Sequence, residues 1–202
     1  MTTRDPASIN RVRKRPKQAR SRAMFEDIIE AAARIIERDG LGAVSTNAVA
    51  ETAGVSIGSL YQYFPNQVVI LAELTRRERE LLREGVSSAS LQREDASMEH
   101  ALEGMIEAAV AHQLARPHLA RALDFAEASL DLIAETELMG EDIMTSVAAM
   151  LRRYGYPRAD EAAQDLVSMA KGMIDAAGLA GETDAAALSA RVRRAALGYL
   201  RY

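Results

Sequence analysis

Apolar residues recur at helical spacing along almost the whole chain, and no segment alternates apolar and polar residues as a half-buried β-strand does. The clearest amphipathic stripe lies between Ser21 and Asp39, and its members are Phe25, Ile28, Ile29, Ala32, Ile35 and Ile36. Similar patterns predict further helices over residues 66–86, 98–115, 129–154, 158–179 and 184–202, and a shorter one from Pro117. We therefore expect an all-α fold of about nine helices.

Residues that start and stop helices interrupt this pattern between positions 45 and 71. The segment contains side chains that can cap three helices, a glycine suited to a left-handed turn, and a proline that would end the second helix. In chain order these residues are Thr46, Gly54, Ser56, Pro65 and Asn66. The segment predicts two short helices joined by a tight turn, the second running from about position 57 to 64.

Two helices and a tight turn are the elements of a helix-turn-helix. Ala50 is small enough for a close helix crossing, and Leu60 can anchor the second helix against the first. The remaining residues of the second helix then point outward and could enter a major groove: Ile57, Gly58, Ser59, Gln62 and Tyr63. The alternative is an ordinary helical hairpin with Tyr61, Tyr63 and Phe64 in a core.

Residues Thr46–Asn66, and above all Gly54–Asn66, resemble the DNA-binding domain of TetR-family transcriptional regulators. The resemblance extends over residues 20–74; beyond them it is only architectural. It implies a three-helix N-terminal head with the helix-turn-helix, followed by a larger helical domain for ligand binding and dimerisation. One departure is Gln67, where family members commonly have a lysine, so that a phosphate contact there would lose its charge.

The resemblance and the outward positions together predict the residues that contact DNA. We expect five to lie near bases, namely Ile57, Gly58, Ser59, Tyr61 and Gln62, of which Tyr61 could also belong partly to the core. We expect Thr46, Tyr63 and Gln67 to lie near phosphates.

The same interpretation divides the chain into a disordered basic arm (1–19), a helix-turn-helix domain (20–66), a connecting helix (67–86) and a ligand-binding and dimerisation domain (96–202). A polar loop at 87–97 separates the last two. The arm lacks apolar periodicity and is rich in Lys and Arg. Two interpretations of the arm remain open: it follows the minor groove, or it is a solvated tail.

Charge is unevenly distributed along the chain, whose total is −4. Residues 1–83 contain 14 Lys and Arg against 10 Asp and Glu, whereas residues 84–202 contain 11 against 19. The N-terminal part is therefore net +4 and the remainder −8, so that only the former is attracted to phosphate.

Composition excludes several classes of protein. The chain has no cysteine, hence no disulfide or Cys-ligated zinc, and two nearby histidines, His112 and His118, make only a weak metal site. We expect no metal and no cofactor. Absence of a long apolar run and of a signal peptide favours a cytoplasmic protein without a membrane span.

The last two predicted helices are rich in alanine and glycine. Small residues allow close helix contact, and with the family resemblance they predict a homodimer through a four-helix bundle formed by these helices. The alternative is that alanine only reflects its high helix propensity. A dimer would present two recognition helices about 34 Å apart, to successive turns of one DNA face.

Methionine is abundant in the C-terminal part, where its flexibility would suit an adaptable apolar cavity. We expect a pocket lined by Met105, His112, Phe125, Met144, Met169 and Met173. The alternatives are that the methionines fill the core and that the histidine is at the surface.

These features predict a sequence-specific DNA-binding transcriptional regulator. As the resemblance implies, a repressor would hold a palindromic double-stranded operator and be released by a small apolar or aromatic effector that moves the fourth helix. The alternative is a helical small-molecule-binding or interaction protein without specific DNA binding. An enzyme is disfavoured, because no nucleophile–base set, phosphate loop or metal motif is visible.

Overall fold

The computed structural model describes residues 11–92, 97–126, 130 and 132–201, and for residues 91, 92 and 133–137 it describes the backbone only. Regular structure in these ranges is entirely helical, which confirms the all-α prediction. The helices are α1 (Ala19–Asp39), α2 (Thr46–Ala53), α3 (Ile57–Tyr61), α4 (Gln67–Gln92), α5 (Met98–Ala115), α6 (Pro117–Ala126), α7 (Ile133–Arg153), α8 (Ala159–Leu179) and α9 (Ala185–Leu200). A 3-10 turn, Leu41–Ala43, lies between α1 and α2.

The chain forms two compact units, and the first contains the residues up to Glu78 together with residues 118–133. All six residues of the stripe predicted on α1 are buried in the apolar cluster of this unit. The ring of Phe25 stacks on Phe64 at a centroid distance of 4.7 Å and meets Tyr63 edge-on at 5.9 Å. Leu119 of α6 packs into the same apolar cluster. The ring contacts hold the turn after α3 against α1, and Val49 and Leu60 bury α2 and α3 in the same cluster.

The second unit contains residues 79–117 and 134–202. Its apolar cluster is built from α5, α7, α8 and α9, with Val86 of α4. Helices α5 and α8 approach closely where Gly178 faces Gln113. A Cβ at Gly178 would lie 2.9 Å from Nε2 of Gln113, so a larger residue there would force the amide to move.

Helix α4 is longer than predicted and continues to Gln92, through part of the segment predicted as a polar loop. Polar groups of this extension have partners inside the second unit. The Ser87 and Ser146 hydroxyls lie 3.3 Å apart, and the buried Ser90 accepts a hydrogen bond at its carbonyl from Arg153. The rest of the predicted loop includes residues 93–96, which lie outside the described residues.

Helix α7 runs without interruption through Gly140. A single helical glycine costs only about 1 kcal/mol relative to alanine, which a helix of 21 residues can absorb. The predicted start at Ser129 lies outside the described residues. After α7 the chain turns at the left-handed Gly155, with φ of 71°.

Residues 11–18, the described part of the predicted arm, follow the surface of the first unit. The Arg13 amide donates a hydrogen bond to the Tyr63 carbonyl at 2.8 Å, and Val12 packs on the apolar cluster. Residues 1–10 of the predicted arm lie outside the described residues. No helix in the described ranges is long and apolar enough to cross a bilayer.

Candidate nucleic-acid interface

Helix α2 begins at a serine N-cap and ends at a left-handed glycine. The Ser45 hydroxyl accepts a hydrogen bond from the Ala48 amide at 3.2 Å, so Ser45 is the N-cap and not Thr46 as predicted. Thr46 is the first helical residue, which directs its hydroxyl elsewhere. At the other end Gly54 is left-handed with φ of 66°, and its amide bonds back to the end of α2. The turn predicted at Gly54 is confirmed.

Helix α3 begins at a serine cap, as predicted. The Ser56 hydroxyl accepts from the Ser59 amide at 3.0 Å, and the two hydroxyls lie 2.8 Å apart. Regular α-helix ends at Tyr61, and a turn continues to Phe64. Leu60 is completely buried and Ala50 nearly so, as expected for the anchor and the close crossing.

Most predicted base-contacting residues are at the surface of the first unit. Ile57, Gly58, Tyr61 and Gln62 are exposed, and Ser59 is half-buried beside its capping partner. A Cβ at Gly58 would meet only the Ser56 hydroxyl, at 3.9 Å, so the backbone at this end of α3 is open to an approaching surface. The exposed face of α3 thus combines the small or polar Gly58, Ser59 and Gln62 with the larger Ile57 and Tyr61, each 39% exposed.

The Tyr61 hydroxyl, at the end of α3, lies next to the Thr46 hydroxyl, at the start of α2. The Tyr61 side chain is 39% exposed, and its hydroxyl lies 3.2 Å from Thr46 Oγ1 at the start of α2. Gln67, the third predicted phosphate neighbour, is exposed in the first turn of α4, and the Asn66 side chain caps that helix through the Val69 amide at 3.0 Å. Thr46, Tyr61 and Gln67 thus keep polar groups at the surface.

Tyr63 does not point outward as predicted. It is only 7% exposed, because its ring packs edge-on against Phe25 of α1. The helical spacing that places Tyr63 outside ends at Tyr61, and the turn that follows rotates the next residues toward the core. Of the two tyrosines, the exposed one is Tyr61, although the sequence allowed it to belong partly to the core.

The N-terminal segment is a neighbour of α3 that helical periodicity does not reveal. The Arg13 guanidinium donates to the Tyr61 carbonyl at 3.1 Å, and Arg15 pairs with Glu73 of α4 at 3.3 Å. Glu73 is 6% exposed and Arg15 71%. The only local signal for this docking is Val12, a lone apolar residue among basic ones.

The residues predicted to line a ligand pocket have different environments. Met105 is buried in the apolar cluster of the second unit, while His112, Met144, Met169 and Met173 are half-buried. Phe125 is 85% exposed, which contradicts its assignment to a pocket. Helix α6 buries its other side, with Leu119, Leu123 and Ala126, in the first unit.

A cleft of about 430 Å³ lies in the second unit between α5 and α9. Its lining residues are Glu103, Ile106, Glu107, Ala111, Ala185, Ala186, Ser189, Ala190 and Arg193. The Arg193 guanidinium donates to Glu103 at 2.5 Å. None of the predicted pocket residues lines this cleft.

Two protein-family models match the chain. The model described as "Bacterial regulatory proteins, tetR family" matches residues 28–74, and the model described as "Tetracyclin repressor-like, C-terminal domain" matches residues 97–200. The second match alone covers more than half of the chain. The first match contains α2, the turn, α3 and the start of α4.

Among curated proteins, the HTH-type transcriptional repressor KstR of Mycolicibacterium smegmatis is 39% identical over 64 residues, which are 32% of this chain and 31% of that protein. The match thus spans about a third of that relative.

Two solved structures have the same fold. A candidate TetR-family regulator of Mesorhizobium loti has a TM-score of 0.77 at 18% identity, over 91% of this chain and 98% of that one. The fatty acid degradation regulator FadR of Bacillus halodurans has a TM-score of 0.72 at 19% identity, over 93% and 100%.

Proposed function

This chain belongs to the TetR family of DNA-binding transcriptional regulators, and on that premise we propose that it is a repressor released from a palindromic operator by a small apolar or aromatic molecule. Proteins of this family bind operators as dimers and respond to small-molecule effectors. They are regulators and not, in general, enzymes. A protein that acts on the chromosome in this way works in the cytoplasm, which is where we place it.

The exposed face of α3 is the observation that supports this function best. Apart from Ile57, its side chains are small or can form hydrogen bonds, and Leu60, beneath them, is completely buried. A short helix held from behind can enter a major groove about 12 Å wide and bring Ser59 and Gln62 to base edges. We propose that Ile57, Gly58 and Tyr61 also lie near bases, and Thr46 and Gln67 near phosphates.

A dimer through α8 and α9 would place two such faces on one duplex. These helices pack on each other in the second unit, and Gly172, Ala176, Gly198 and the 64%-exposed Leu179 are at their surface. Exposed small residues and an exposed leucine on these helices suit close packing against the same helices of a second copy. The palindromic operator follows from that two-fold symmetry.

The effector would bind in the second unit, where the half-buried Met169 and Met173 can adapt their shape to an apolar molecule. Helix α4 contributes Leu74 to the apolar cluster of the first unit and Val86 to that of the second. A ligand-driven shift of α4 would therefore reach the DNA-binding residues. A coupling free energy of about 1–3 kcal/mol is typical for such regulation.

Gel shift with the DNA upstream of the chain's own gene tests the DNA-binding part of this proposal. We expect specific retardation at moderate salt, and loss of specificity in Gln62→Ala because the exposed amide can no longer reach a base edge. Gln164→Ala, an equally exposed glutamine on α8, is the matched control and should bind as the wild type does. No specific retardation by the wild type would contradict the proposal.

Sedimentation tests the dimer. Ala176→Glu puts a charge on the exposed face of α8 and should yield a folded monomer, because unpaired charges are costly in a dimer core. Ala149→Glu, exposed on α7, is the control and should remain dimeric. A monomeric wild type at micromolar concentration would exclude this assembly.

A further inference from the structure

The helix-turn-helix of this protein has no cation of its own. From Gly40 to Thr75 the sequence contains no Lys or Arg and two glutamates, Glu51 and Glu73. Hydroxyls, amides and backbone N–H groups can orient a phosphate, but they do not release the counterions that supply most non-specific affinity for DNA. The charge that attracts DNA must therefore come from another part of the first unit.

The cations on either side of this cation-free stretch are engaged with acidic side chains. Arg38 pairs with Asp39 at 2.7 Å, and Arg77 pairs with Glu30 at 3.0 Å. Arg34 also pairs with Glu30, at 3.5 Å, and Arg76 pairs with Glu73 at 2.7 Å. Each of these four positive charges is thus partly balanced before any DNA arrives.

The N-terminal segment, residues 11–25, differs from both: it is rich in cations, and among the described residues most of these cations are not paired with an acidic side chain. Residues 11–25 contain seven Lys and Arg and no Asp or Glu. Within the described part of the chain, no ion pair involves Arg11, Arg13, Lys14 or Lys17, and all four are exposed. This segment is the largest unbalanced positive charge near α3.

The segment is also held next to α3. Its backbone bonds to the Tyr63 carbonyl through Arg13, and the Arg13 side chain bonds to the Tyr61 carbonyl at the end of α3. Arg15 reaches the buried carboxylate of Glu73, at the first turns of α4. Anchors at Arg13 and Arg15, on both sides of Lys14, give Lys14 a defined place, at a lower entropic cost on binding than a free tail would have.

We propose that residues 11–17 are the electrostatic part of the DNA interface, in which Arg11, Lys14 and Lys17 bind backbone phosphates of the same duplex that α3 reads. Arg13 and Arg15 are positioning residues, because their side chains hold the segment to Tyr61 and Glu73. Two parts of the first unit thus have different roles: α3 discriminates sequence with neutral groups, and residues 11–17 supply sequence-independent affinity. This inference rests on the proposed DNA-binding function.

The salt dependence of binding tests the proposal. The probe is a duplex of about 30 base pairs, long enough for two half-sites one turn apart, selected by the wild-type protein from a random pool. In Arg11→Gln/Lys14→Gln/Lys17→Gln, the slope of log K against log salt should become shallower by up to about 2.7 per protomer, since each phosphate contact contributes about 0.9. The ratio of selected to random DNA affinity should stay within about twofold, because phosphate contacts are not sequence-specific.

A matched variant tests whether the position of the removed charges matters or only their number. Arg152→Gln/Arg158→Gln/Arg191→Gln removes the same charge from exposed positions of the second unit and should keep the wild-type slope. Circular dichroism and sedimentation should show that both triple variants fold and associate as the wild type does.

The outcomes distinguish this inference from the function on which it rests. A wild type that selects no duplex would overturn both. A wild type that selects a duplex while the N-terminal variant keeps its slope, or while both triple variants lose the same amount, would overturn only the role of residues 11–17. Gln62→Ala should do the reverse of the N-terminal variant: it should lower the ratio of selected to random affinity and leave the slope unchanged.

Discussion

The two units of the molecule are both helical, but different features determine their helices. In the first unit, α2 and α3 are eight and five residues long, too short to be stable alone. Each begins at a serine whose hydroxyl accepts an amide hydrogen bond, and the left-handed Gly54 joins them. In the second unit, Ser97 and Asp184 cap α5 and α9 in the same way, but the helices are longer: α7 and α8 are 21 residues long, and α8 starts at Arg158 without a side-chain cap.

The difference matches what each unit is proposed to do. Reading bases requires atoms at defined positions, so short helices that individual hydrogen bonds and one buried leucine hold in place are suitable. Accommodating an effector requires a cluster that can rearrange, and the aliphatic and methionine side chains of the second unit permit it. Particular atoms therefore matter most in the first unit, and buried area matters most in the second.

The largest test of this comparison concerns two tyrosines separated by one residue. Tyr63→Ala should lower the free energy of unfolding of the first unit by about 2–4 kcal/mol, because it removes a buried ring packed on Phe25. Tyr61→Ala should cost less than about 1 kcal/mol, since that side chain is 39% exposed. Hydrogen exchange of α1 amides measures both. Equal costs would contradict the assignment of core and surface.

The caps give a smaller effect. Ser45→Ala should destabilise the first unit by about 1 kcal/mol, because the Ala48 amide loses its acceptor. Thr46→Ala should cost clearly less, since Thr46 is not the cap, although it removes the hydroxyl beside Tyr61. Thermal unfolding followed by circular dichroism ranks the two variants. A larger loss in Thr46→Ala would restore that residue as the cap.

The smallest effects should have opposite signs in the two units. Gly54→Ala should destabilise by about 1 kcal/mol, because alanine is strained at φ of 66° even where no atom crowds the site. Gly140→Ala, inside α7 and with open space around it, should stabilise by about 0.5–1 kcal/mol. Denaturant unfolding of both variants decides the signs. Destabilisation by both would mean that α7 depends on Gly140 in a way that its described geometry does not show.

The sequence alone determined the fold class and the local geometry of the helix-turn-helix. Gly54, Ser56 and Asn66 act on backbone groups no more than four residues away, so the positions of these residues predict their hydrogen bonds directly. Leu60 was predicted as the anchor for a similar reason, because the spacing of a short helix leaves it only one inward side. These features can be predicted from sequence because each residue and the group that it contacts are close along the chain.

Only the tertiary structure decided which surfaces are free and where the distant segments lie. Tyr63 is buried because Phe25, 38 positions earlier, reaches its ring, and Phe125 is exposed because the first unit buries the opposite side of α6. Residues 11–18 lie against the first unit because Tyr61, Tyr63 and Glu73 offer acceptors that come close only after folding. Such outcomes depend on contacts between residues far apart in sequence, and no local pattern of apolar and polar residues specifies them.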